Sequence, residues 1–183
     1  MRVAAPPAKL HSAARTEQII LFRISGHPFA VSSASVQEVR SVDSLAGVAT
    51  EIDQPTLRKV RHVVRRGEKA LYVVSGAAHF GLPPSSAGLV FVLRKTRTAL
   101  LVDGIDKMAT MTRLQALPLA YCHEERSWYR GLTALDQNVI PVVNPEGFLT
   151  ADEFALLDAT LVPEALPEAL PDELPDAGME LPQ

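Results

Sequence analysis

The chain has little with which to build a chemical site. Its 183 residues include one cysteine, Cys122, so neither an intrachain disulfide nor a multi-thiolate metal site can form. Five histidines, His11, His27, His62, His79 and His123, share no metal-ligand spacing. No Gly-x-Ser-x-Gly elbow, phosphate-binding loop or dinucleotide-binding glycine pattern is found. His123-Glu124 opens like a zinc-protease helix, but position 127 is Ser, so the second histidine is missing. Cys122-His123 has no evident orienting group and reads as a polar loop. No apolar run approaches the ~18–20 residues that cross a bilayer, and the start lacks the charged, apolar and small-residue order of a signal peptide. These absences predict a soluble cytoplasmic protein, not an enzyme, with no cofactor and no metal.

Charge of either sign is modest. The net charge is −3, but all six acids from Ala159 onward (Glu164, Glu168, Asp172, Glu173, Asp176 and Glu180) stand without a Lys or Arg. Removing them from the 21 acids leaves 15 against 18 bases, a mildly basic body and an acidic tail. A body this weakly basic does not suggest nucleic acid, for which a domain pI above ~9 is expected. The densest charge runs from Arg58 to Lys69, where Arg58, Lys59, Arg61, Arg65, Arg66 and Lys69 face the single acid Glu68. With little aromatic interleaving and no glycine cradle, it reads as a basic protein-docking edge or as a solvated face.

What is present is a globular composition, 47% hydrophobic, with short apolar runs between turn signals. Residues 1–15, rich in Ala, read as a flexible leader. Residues 19–24 and 29–31 flank Ser25-Gly26-His27-Pro28. Residues 63–64 and 71–74 flank a turn containing Gly67, where a positive φ is available. Residues 89–93 and 99–102 flank Arg94-Lys95-Thr96-Arg97. Residues 132–135 and 139–143 flank Asp136-Gln137-Asn138, and Pro141, lacking a donor, predicts an edge or a bulge. Four hairpin-like units point to an all-β barrel architecture. Helices are few. Residues 33–40, with Val36 and Val39 on one face, predict two helical turns, and 41–58 predicts a loop. Thr150-Ala151-Asp152-Glu153 is a capping box opening a helix over 154–157 that ends near Asp158. Asp103 and Asp106, after an apolar strand, read as turn acids. From 159 on, prolines 163, 167, 171 and 175 in step with Leu166, Leu170 and Leu174 disfavour a helix and predict an extended acidic tail.

The order of these units resembles the CheW-like domain, the adaptor module of bacterial chemosensory arrays, over residues 16–158. IILFRISGHPFAVSSASVQEVR is similar to the family's first hairpin and its Val-Gln-Glu-Val turn. VRHVVRRGEKALYVV is similar to its strand, Arg-Gly turn and strand, ALLVDGID to its Gly-Leu-Leu-Val-Asp-Glu-Val strand, and YRGLTALDQNVIPVVN to its final Arg-Gly hairpin. Departures are Arg61 where a Gly is common, Val64 for a polar residue, Ser75 and Asn144 for Asp, and Ala99 for Gly.

The resemblance implies a mostly β fold of two intertwined, SH3-like five-stranded barrels around a shared core, with few short helices. It implies an adaptor bridging the cytoplasmic tip of a methyl-accepting chemoreceptor to a CheA-type histidine kinase, recruited to membrane-associated arrays without inserting in the membrane, where other CheW-like domains are further partners. By the same resemblance Val36, Glu38, Arg61, Arg66, Gly67, Ala99, Asp103, Arg130 and Gly131 are receptor- and kinase-binding residues, with Arg66 and Gly67 facing the receptor. A scaffold of another chemosensory pathway, for pili motility or development, is the alternative, and a small-molecule sensor a remote one.

Overall fold

The computed structural model describes residues 16–45, 48–49, 54–66, 69–121 and 123–160. The leader 1–15, Gly67, Cys122 and the Leu-Pro segment from 161 lie outside them. The strands are β1 (Glu17–Ile24), β2 (His27–Ser32), β3 (Val36–Ser41), β4 (Val48–Ala49), β5 (Val60–Arg66), β6 (Lys69–Ser75), β7 (Leu89–Leu93), β8 (Thr98–Val102), β9 (Gly104–Met111), β10 (Tyr129–Leu135) and β11 (Asn138–Val143). The helices are α1 (Gly76–His79), α2 (His123–Trp128) and α3 (Ala151–Thr160).

The first sheet runs β10-β11-β2-β1-β9 and the second β3-β7-β8-β6-β5-β4. The second therefore has six strands instead of five, the sixth being the two-residue β4. The four predicted hairpins are all present as antiparallel pairs. Sheet membership does not follow chain order: β3 to β8 are inserted between β1-β2 and β9-β11, so the first sheet closes only when residues as distant as Glu17 and Met111 pair. The edges of the first sheet are brought together. Gln115, four residues past β9, exchanges backbone hydrogen bonds of 2.7 and 2.9 Å with Leu132 on β10. The edge strands β3 and β4 are consecutive in the chain.

The unbroken apolar runs now have a physical reason. Antiparallel strands with one wet face alternate, whereas strands covered on both faces do not. On β1, Ile19 and Leu21 pack inside the first sheet with Ala30, Ile140 and Val142, while Ile20, Phe22 and Ile24 face a core shared with Phe91, Leu93 and Leu100 of the second. On β7 and β8, Val90, Val92 and Ala99 fill the interior of the second sheet and the intervening residues face the shared core. β6 sends Leu71 and Val73 inward, and Tyr72 and Val74 outward against Leu149 and Leu157.

Several expectations are corrected. Residues 33–40 form a single 3-10 turn over 33–35 and then β3, because Val36–Ser41 pairs along β7 and that long-range pairing outweighs local helix preference. The expected loop 41–58 contains β4 and two 3-10 turns, at 42–44 and 55–57. β9 was invisible to patterning because most of its residues are exposed; Asp106 lies within it, not in a turn. β11 stands between β10 and β2, not at an edge, yet its register with β2 is the single pair Val142↔Ala30, which leaves Pro141 tolerable. The polar loop at 122–123 gives way to α2 from His123 onward.

The capping box at 150–153 is present: Thr150 Oγ1 accepts from the Glu153 N–H at 3.2 Å, and Glu153 Oε2 accepts from the Thr150 N–H at 2.8 Å. The helix is longer than expected, running to Thr160. Leu157 is fully buried against the outer face of β5 and β6, and Asp158 accepts two hydrogen bonds from Arg97, at 2.8 and 2.7 Å, and one from the Tyr72 hydroxyl. Arg97 lies 5.0 Å from the Phe154 ring centre and 5.6 Å from that of Tyr72. Burial should outweigh the half-exposed ion pair. Leu157→Ala is expected to cost about 2–4 kcal/mol and Asp158→Asn about 0.5–1, read as melting-temperature drops of roughly 8–12 °C and 2–4 °C by circular dichroism.

Candidate functional site

Where the two sheets meet, an open groove of about 290 Å³ is walled by Ile24, Arg61, Ser75, Ala77, Ser85 and Leu101. Its geometry depends on Asp103, which follows β8. One carboxylate oxygen accepts from the Gly26 N–H at 2.8 Å and the other from the Ser85 hydroxyl at 2.6 Å, while the Asp103 N–H donates to the Arg23 carbonyl at 2.8 Å. Burial alone would raise its pKa, but the Ser85 hydroxyl and the Gly26 and Ser25 backbone hold it below its ordinary value. Asp103 therefore pins the β1–β2 turn and segment 82–88 together as one wall.

The opposite wall is α1, capped by the Ser75 hydroxyl, which accepts from the Ala78 N–H at 3.3 Å. Gly76 is required by proximity: a Cβ there would stand 2.6 Å from Ile24 Cδ1 and 2.9 Å from the Leu101 carbonyl oxygen. Ser75 and Asn144 stand where the resemblance leads one to expect Asp, and both keep a cap, since the Asn144 side chain accepts from the Glu146 N–H at 3.3 Å. Ser, Asn and Asp serve interchangeably in that role.

His79, the last residue of α1, is 5% exposed and packed by ring contacts of 4.6–5.0 Å with Trp128, Phe80 and Phe148. Its Nε2 has no hydrogen-bond partner among the described residues. Burial, helped by the charge of Lys59, depresses its pKa to about 3. At neutral pH it is a flat, uncharged ring in an aromatic network.

Of the nine residues singled out from the sequence, Gly67 lies outside the described residues and the other eight are spread over the two sheets. Arg61 lines the junction groove with no acidic partner among the described residues, and Asp103 builds its wall. Arg66 ends β5, roughly 17 Å along the strand from Arg61. Glu38 lies on β3, ion-paired with Arg40. Val36 is buried in the shared core and Ala99 inside the second sheet, so their side chains offer almost no surface. Arg130 binds Glu17 through two hydrogen bonds of 2.7 and 3.0 Å, which hold Glu17 below the usual carboxylate range. Glu17 is at the far end of β1, roughly 23 Å from the Ile24 end that borders the groove. At Gly131, in the bulge of β10, a Cβ would come within 2.3 Å of the Gln115 carbonyl oxygen, at the bridge that joins the edges of the first sheet. Sequence reasoning missed His79, Ser85 and the Arg97–Asp158 pair. Only the apolar setting Ala77-Ala78-His79-Phe80 carried a signal, for a buried imidazole.

Among the described residues no group of three His, Cys, Asp or Glu could hold a metal, and no helix is long and apolar enough to cross a membrane. Two sheets built from interleaved chain segments, each with its own interior and both leaning on one core, define a mostly β, two-sheet module with few short helices. Within that class the chain belongs to the CheW-like domain family, whose model matches residues 18–153. Among solved structures it is similar to the scaffolding protein TtCheW from Thermoanaerobacter tengcongensis, with 14% identity, a TM-score of 0.61, and coverage of 80% of this chain and 96% of that one. No curated protein matches.

Two measurements check these structural roles. Gly131→Ala should destabilise the fold by about 2–3 kcal/mol through strain at the bulge, seen as a lowered denaturant midpoint. For His79, an unfolded imidazole binds a proton near pH 6.5 while the folded one resists to about 3. Stability is therefore complete above 6.5 and falls as pH drops below it, by about 2 kcal/mol between pH 6.5 and 5. In His79→Phe that slope should vanish. Losses from Asp158, whose pKa Arg97 lowers, begin only near and below pH 4.

Proposed function

We propose that the protein is a non-enzymatic adaptor of the cytoplasm that couples chemoreceptors of the methyl-accepting type to a CheA-type histidine kinase. Family membership over residues 18–153 carries this reading. The junction groove supports it: an exposed Arg61, without an acidic partner among the described residues, beside apolar walls from both sheets suits a helical segment offering a carboxylate next to an apolar side chain. The similar structure is named a scaffolding protein. The Arg66-Gly67 turn supplies the second contact, and the rim charges act mainly on association rate and partner choice.

Purified protein mixed with a receptor cytoplasmic fragment and the kinase should co-sediment with both. Arg61→Glu and Arg66→Ala should each leave the melting temperature within about 2 °C and weaken receptor binding about tenfold, or ~1.4 kcal/mol. Wild-type protein that retains neither partner overturns the reading. Retention of a partner from a pili or developmental system alone would favour another chemosensory pathway.

A further inference from the structure

A second groove lies at the opposite end of the strands of the second sheet. It has a volume of about 560 Å³, continues into a smaller hollow, is floored by Leu71, Val92, Leu93 and Phe154, and has one acid, Glu146, in its lining against three cations. Lys69 and Lys95 rim it, at the neighbouring tips of the β5–β6 and β7–β8 hairpins, and among the described residues no acid pairs with either. Its remaining cation, Arg97, is the residue that holds Asp158. The chain therefore leaves α3 at Thr160, two residues beyond a side chain clamped to the groove wall.

The segment beyond α3 is complementary to this groove. Residues 161–183 carry six acids and no base, in the repeat Pro163-Glu164-Ala165-Leu166, Pro167-Glu168-Ala169-Leu170, Pro171-Asp172-Glu173-Leu174. Proline at every fourth position favours an extended backbone. Side chains of an extended chain alternate, so the even positions from 164 to 174 put acid and leucine in turn on one face: carboxylates for Lys69 and Lys95, leucines for the apolar floor. Covering a leucine at that floor removes apolar surface from water, which an ion pair alone would not.

We propose that the segment 161–183 docks into this groove of its own chain, covering the β5–β6 and β7–β8 tips. Tethering supplies an effective concentration in the millimolar range, so a contact weak between separate molecules is largely made within one. The docking stands whether or not a receptor binds the junction groove.

The test uses the full chain with a nitroxide label at Ala177→Cys in a Cys122→Ser background, and reads paramagnetic broadening of backbone amides. Signals of 69–71 and 93–97 should broaden while those of β9 do not. Lys69→Glu with Lys95→Glu should lower that broadening about fivefold, the effect of losing two exposed ion pairs. Because those substitutions touch the domain, a second variant changes only the segment: Glu164→Gln, Glu168→Gln, Asp172→Asn and Glu173→Gln, with the same loss expected. Absence of selective broadening, or broadening that survives both variants, overturns the proposal. Broadening that grows with protein concentration also overturns it, by placing the segment on a second copy.

Discussion

The structure depends on strands whose two faces are both buried. β1 belongs at once to the interior of the first sheet and to the core shared with the second, and β7 and β8 do the same from the other side. At ~25 cal/mol per Å² of apolar surface removed from water, such strands contribute most of the hydrophobic stabilisation of a domain this size. They also make the halves inseparable. Exposing the face of β1 that carries Phe22 and Ile24 would strip Phe91 and Leu100 of their partners, so neither sheet has a complete core alone. The chain order reinforces this, because the second sheet is inserted between the strands of the first and α3 returns to cover it.

The scarce aromatic residues are concentrated at this seam. Phe22, Phe29, Phe80, Phe91, Tyr121, Trp128, Tyr129 and Phe148 form one connected set of ring contacts, and Tyr72 with Phe154 forms a separate pair under α3. His79 joins the first set as a neutral ring, which explains why its Nε2, with no partner among the described residues, is tolerated there: charging the ring would cost desolvation energy, so it stays unprotonated. Charge is kept at the rims. Asp103, Arg130 and Arg97 each fasten segments distant in sequence, while Arg61, Lys69 and Lys95 are among the cations without an acid among the described residues. The two grooves follow from that division, one at the meeting of the sheets and one beside α3, and both combine apolar lining with cations that no acid pairs among the described residues.

Much of the strand content was legible because apolar runs and turn residues act locally. The hairpins around Ser25-Gly26, Arg94 to Arg97 and Asp136 to Asn138 declare themselves, and so does the Thr150–Glu153 cap, whose two hydrogen bonds involve residues three apart. Family membership was legible from four such motifs in order. β3 and β9 were not, since β3 takes its conformation from β7 and β9 from β1, and an exposed strand has no apolar period to show.

The roles of single residues divide along the same line. The sequence by itself determined which apolar runs are strands, where they turn, and that the acids of 161–183 are segregated from the bases of the body, because these depend on composition and on neighbours a few positions away. Only the tertiary structure decided that Ala99 and Val36 are core, that Arg130 is held by Glu17, that Asp103 ties two loops, and that Arg61 and Arg66 stand at opposite ends of one strand. Each of those facts depends on partners brought together from across the chain by the burial of two sheets on one core, and no spacing along the sequence records that distance.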